Sequence, residues 1–113
     1  MDPDILIPED LCDLGLAAAQ AILRRATEDG GGEADTGGCQ PFYSPEAWRE
    51  REEEYGTNSL LVVVHDGGCF APYFNLDYGC YDKYEDMQKM LKPLGLYAES
   101  CTCWYSAVYR IKA

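Results

Sequence analysis

The sequence predicts an α+β fold: an antiparallel sheet of three to four strands with helices packed on one face, and an acidic, helical N-terminal half. Three observations carry this expectation. Leu60-Leu61-Val62-Val63-Val64 is an unbroken aliphatic run with three β-branched members, the composition of a strand buried on both faces. Helical periodicity occurs twice before that run and once after it, and the chain closes on alternating apolar segments. The order helix, helix, strand, strand, helix, strand fits strands and helices that segregate into layers rather than repeating strand–helix units. At 113 residues the chain is long enough for one domain with a core and too short for two ordinary ones.

In chain order, residues 1–27 contain the first helix, running from Ile5 to about Ala26. Leu11, Leu14, Ala18 and Ile22 recur at helical spacing, and Leu16, Ala21 and Leu23 widen the stripe. Glu9, Asp10 and Asp13 gather at its start and Arg24 and Arg25 at its end, as the helix dipole favours. Residues 28–43 read as a flexible glycine-rich connection, because the glycines lose much entropy on ordering and little apolar surface compensates. Residues 44–56 read as an acidic helix. Ser44 can cap it, Pro45 fits the first helical position, and Glu50, Glu53 and Glu54 then share a face.

Residues 57–113 are expected to build the sheet. After the aliphatic strand, Asp66-Gly67-Gly68 reads as a hairpin turn and Cys69 to Asn75 as the returning strand, with Pro72 directing it to an edge or a bulge. Tyr81 to Leu91 is a third helix with Tyr84, Met87, Met90 and Leu91 inward, ended by Pro93 and Gly95. Leu96–Ser100 and Trp104–Ile111 alternate as strands. Cys101-Thr102-Cys103 between them is either a turn or the middle of one bent strand.

Charge divides the chain. Residues 1–56 carry 14 acids against 4 bases, whereas residues 57–113 carry 6 acids against 5 bases. A field of that sign repels nucleic acid and membrane surfaces and draws basic partners. No apolar run approaches the roughly 20 residues of a bilayer span. The N-terminus is acidic where a secretory signal is basic, so a cytoplasmic protein is expected. In that compartment the six cysteines (12, 39, 69, 80, 101 and 103) would be reduced thiols rather than a disulfide framework.

No catalytic signature emerges. His65 and Cys69 are four residues apart and could be brought together by a turn, but a lone histidine ending a strand is ordinarily a surface or capping residue. Cys101-x-Cys103 would present both thiols on one strand face as half a zinc site, with Cys80, Cys69 or His65 as the other half, but the paired Cys-x-x-Cys of zinc ribbons is missing. A small thiol-enzyme or metal-binding module on these residues is therefore the alternative reading, and no metal or other cofactor is expected. The carboxylates are not paired within apolar runs as poised acids and bases are. Nine tyrosines and two tryptophans exceed what so small a core uses, and such residues are enriched at protein interfaces.

Small size, one-sided acidity and surplus tyrosine, taken over the whole chain, resemble the small acidic counter-defence proteins of phages and plasmids, the anti-CRISPR proteins and antirestriction DNA mimics. What the resemblance implies is a stoichiometric inhibitor, not an enzyme. It would plug the positively charged nucleic-acid channel of a CRISPR effector or restriction enzyme with carboxylates spaced like phosphates, without touching nucleic acid or membrane itself. The partner-binding residues expected here are Asp10, Asp13, Glu46, Glu50, Glu53 and Glu54, with Tyr43 and Tyr55 as aromatic anchors. The nearly neutral C-terminal half makes the mimicry partial. A housekeeping adaptor whose acidity only confers solubility is the plainer alternative.

Overall fold

Between Leu61 and Val64 every residue is buried, and the neighbours on both sides explain why. The structure, a computed structural model, describes residues 7–28, 41–65, 70–75 and 79–111. Its elements are α1 (Asp13–Glu28), β1 (Phe42–Tyr43), α2 (Pro45–Glu50), β2 (Leu61–Val64), α3 (Ala71–Phe74), α4 (Tyr81–Leu91), β3 (Leu96–Ser100) and β4 (Tyr105–Arg110). A short 3₁₀ turn, Lys92–Leu94, links α4 to β3. The four strands form one sheet in the order β1-β2-β4-β3, and every pairing is antiparallel. This is the α+β architecture read from the sequence.

Strand periodicity sorts the side chains of β2 between two cores. Leu61 and Val63, with Phe42, Leu96, Ala98 and Val108, face α1, α3 and α4 in the larger core. Val62 and Val64 face the other way, onto Trp48 of α2 and Tyr105. Three helices therefore cover one face, and α2 closes part of the other with a single tryptophan.

α1 packs closely because its inner face is built of small residues. Ala18, Ala19, Ile22, Leu23 and Ala26 are buried, and Gly15 lies against the backbone of Leu60, where a Cβ would meet the carbonyl oxygen at 2.5 Å. The helix begins at Asp13, later than the sequence periodicity predicts, so Leu11 packs on the core from the preceding turn. Leu16, expected within the apolar stripe, points outward. α4 spans the predicted residues, and the 3₁₀ turn that follows it ends at Gly95, whose positive φ of 76° suits a residue without a Cβ.

Three expectations need correction. The returning strand expected over Cys69–Asn75 is replaced, among its described residues, by a helical turn at Ala71–Phe74, with Pro72 in its first turn where the missing N–H costs nothing. Long-range pairing with β1 and β4 takes the place of that hairpin. Phe42 and Tyr43, read as part of the flexible connection, pair with Val63 and Val62 as an edge strand. The predicted acidic helix over 44–56 stops at Glu50, because Arg51 caps it and Glu52 turns to a φ of 61°. The remainder of the connection, residues 29–40, and the Asp66-Gly67-Gly68 turn lie outside the described residues.

Cys101-Thr102-Cys103 proves to be a turn. Ser100 pairs with Ser106, the N–H groups of Cys101 and Thr102 both donate to the Tyr105 carbonyl, and Thr102 Oγ1 accepts from the N–H groups of Trp104 and Tyr105.

Candidate functional site

The acidic residues of the first half are connected by a buried serine. Ser44 is fully buried at the start of α2, and its Oγ accepts from the Ala47 N–H at 3.1 Å, the N-cap bond. The same hydroxyl donates to the Asp10 carboxylate. Asp10 thus anchors the segment before α1 onto the head of α2. That contact brings Asp10 to the head of α2, whose first turn carries Glu46.

Asp13, Glu46, Glu50 and Glu54 are exposed. Glu46 pairs loosely with Arg49 at 3.6 Å, an exposed contact of little energetic weight. Glu53 differs. It is half-buried and stands 3.5 Å from Arg51, so part of its charge is used within the chain. Glu50, Glu53 and Glu54 do not share a helical face, since the helix has ended before two of them. The two anchor tyrosines also part company. Tyr55 is 49% exposed, while its N–H donates to the Tyr105 hydroxyl at 3.3 Å; Tyr43 is half-buried and leans on Trp48.

Trp48 organises this side of the sheet. Its ring centroid lies 5.1 Å from that of Tyr43, 5.8 Å from Trp104 and 4.9 Å from Tyr105, an edge-on contact. The Arg51 guanidinium covers it at 4.9 Å and reaches the Tyr43 ring at 5.4 Å. The acidic-helix expectation for residues 44–56 does not include this aromatic cluster. The signal was the spacing Trp48-x-x-Arg51, which puts a cation on the same helical face as the indole. Burial pushes the Tyr105 phenol above its ordinary pKa, partly offset by the Tyr55 N–H and the Trp48 side chain. Burial likewise raises Tyr109, with the charges of Cys101 and Glu99 adding to it. Both stay protonated hydroxyls at neutral pH.

The thiol and histidine candidates are dispersed. His65 is buried, not superficial as expected: its Nε2 lies 3.0 Å from Ser106 Oγ and its ring stacks on Phe74 at 5.5 Å. Cys69 lies outside the described residues. Cys101 is half-buried in the β3–β4 turn, and burial, helped by the Glu99 charge, pushes its thiol up to about 11. A nucleophile or metal ligand needs the opposite shift. Cys103 is exposed, and the pair does not share a strand face because neither residue lies in a strand. Cys80 stands at the head of α4. Among the described residues no three of His, Cys, Asp and Glu come together as metal ligands. Among the same residues, no helix is long and apolar enough to cross a membrane.

Comparison with known protein families, curated proteins and solved structures finds no match to this chain.

Proposed function

We propose that this protein is a stoichiometric inhibitor, acting in the bacterial host cytoplasm, that engages a basic nucleic-acid-processing defence complex through its acidic face. A CRISPR effector is the foremost candidate partner and a restriction enzyme the second. The observation that carries the reading is the Asp10–Ser44 contact, which ties Asp10 to the head of the helix that carries Glu46 and Glu50. Neither stretch has enough charge alone, because an exposed ion pair contributes about 0–1 kcal/mol. Brought together, they offer a rigidly mounted set of carboxylates to a channel whose lysines and arginines await phosphates.

Inhibition on this reading is competition between polyanions. Phosphate contacts supply most of the nucleic acid's affinity for such a channel and position it there. A protein that neutralises the same cations removes that affinity without contacting a base. The attraction acts over about 10 Å at ordinary ionic strength, so it speeds encounter as well as binding. Tyr55, exposed beside Glu54, adds the apolar anchor that charge alone lacks.

The test is a competition experiment with a purified, guide-loaded CRISPR effector and labelled target DNA. Equimolar protein is expected to abolish DNA binding, with protection fading as salt is raised. If DNA binding by CRISPR effectors and by restriction enzymes is unaffected at low salt and excess protein, the reading is wrong.

A further inference from the structure

Trp48 is fully buried, yet on its outer side the wall is a surface side chain. Arg51 lies over the indole at 4.9 Å and over Tyr43 at 5.4 Å, while its own side chain stays 47% exposed. The rim of this shelf is made by Tyr43 and Trp104, both half-buried. Glu53 stands 3.5 Å from the guanidinium and completes the arrangement with a carboxylate. Aromatic faces below and a carboxylate beside are the groups that bind a planar cation.

We propose that this shelf accepts an arginine side chain of a basic protein partner, and that Arg51 occupies it in the free chain. The inference rests on the reading that the partner is a basic protein and names the group on the partner that is recognised. Arg51 suits the part of a placeholder. Its neighbour Arg49 donates to the Thr57 carbonyl and so ties the following loop to α2. Arg51 is held instead by two ring faces and one partly exposed carboxylate, contacts that are individually weak at a wet surface. It can swing out at little expense, and the incoming guanidinium would meet the same rings and the same Glu53. Arginine is favoured over lysine because its flat, weakly hydrated head stacks on rings, whereas an ammonium must shed a tight water shell. In the free chain the placeholder keeps the indole from water.

Both tryptophans of the chain, Trp48 and Trp104, belong to this cluster, so tryptophan emission, excited beyond the tyrosine absorption band, reports on it. The experiment titrates the full chain with an oligoarginine and an oligolysine peptide of equal length, comparing wild type with Arg51→Ala and Arg24→Ala. Arg24 is exposed on α1 and its loss removes the same charge away from the shelf. Oligoarginine is expected to change the emission and to bind more tightly than oligolysine. Arg51→Ala is expected to strengthen oligoarginine binding by roughly two- to five-fold beyond Arg24→Ala, the size of one exposed cation–π contact. Should Arg51→Ala unfold, Arg51→Lys, a poorer occupant that keeps the charge, is expected to give a smaller gain in the same direction; no gain overturns the proposal. Equal, salt-sensitive binding of both peptides with unchanged emission would remove the shelf and leave the acidic-face reading standing. Binding of neither peptide would remove both.

Discussion

Gln88 and Ala98 are joined by two hydrogen bonds: Gln88 Nε2 donates to the Ala98 carbonyl at 2.8 Å, and the Ala98 N–H donates to Gln88 Oε1 at 3.0 Å. β3 is an outer strand of the sheet, so the side-chain amide of α4 stands where the backbone of a further strand would pair. An open edge of that kind recruits other chains, and a glutamine plug is one way to close it.

Gln88→Ala should therefore lose about 1–3 kcal/mol of stability, the net worth of two partly buried hydrogen bonds. It should also show concentration-dependent self-association. Denaturant unfolding with sedimentation of the same variant checks both. A stable, monomeric variant would mean that the amide closes nothing.

Ser44 has two tasks, the α2 cap and the tether to Asp10. Ser44→Ala should cost about 1 kcal/mol for the lost cap, with a smaller further loss for the bond to Asp10, whose exposed carboxylate water can then solvate. A double-mutant cycle with Asp10→Ala should return a coupling of about 1 kcal/mol. Additive losses would show that the two residues act independently and would separate the two acidic stretches.

The Cys101 thiol, held at about 11, makes a pH prediction with a definite sign. Its folded pKa lies above the value of about 8.5 for an unfolded cysteine. The stability it contributes is fully present below that value and is lost as pH rises from there through 11. Tyr105 and Tyr109 are raised in the same direction, so their contribution is likewise lost above the ordinary phenol range of about 10. Thermal stability should fall progressively above about pH 9, and Cys101→Ser should blunt the early part of that decline. Alkylation at pH 8 should spare Cys101 while modifying exposed Cys12 and Cys103. Equal reaction of all three would contradict the raised thiol.

How far the sequence could be read depends on where each signal resides. α4 was legible in full because its stripe, Pro93 and Gly95 are all local. The strand around Val62 was legible too, since five aliphatic residues in a row have few other uses. The partners of that strand were not, because β1 is only two residues long and its pairing with Val62 and Val63 is a tertiary event. Ala71–Phe74 misled because aromatic content favours a strand, while Pro72 at a helix start is equally comfortable. Glu52 ended α2 through a positive φ that nothing in a run of glutamates announces. The acids were visible as composition, but the serine that unites them was visible only as a cap.

On the proposed function, those acids act together on a basic channel. Glu46, Glu50 and Glu54 are exposed, and none supports the core, so converting all three to Gln should leave the fold intact. The decisive measurement is the concentration of protein needed to displace target DNA from a guide-loaded effector, for wild type, this triple variant and Glu99→Gln, at physiological salt. The triple variant should require roughly tenfold more protein, since three surface pairs at about 0.5 kcal/mol each together match the roughly 1.4 kcal/mol of a tenfold change. Glu99→Gln should match wild type. A triple variant as potent as wild type, in a fold shown to be intact, would contradict electrostatic mimicry at α2.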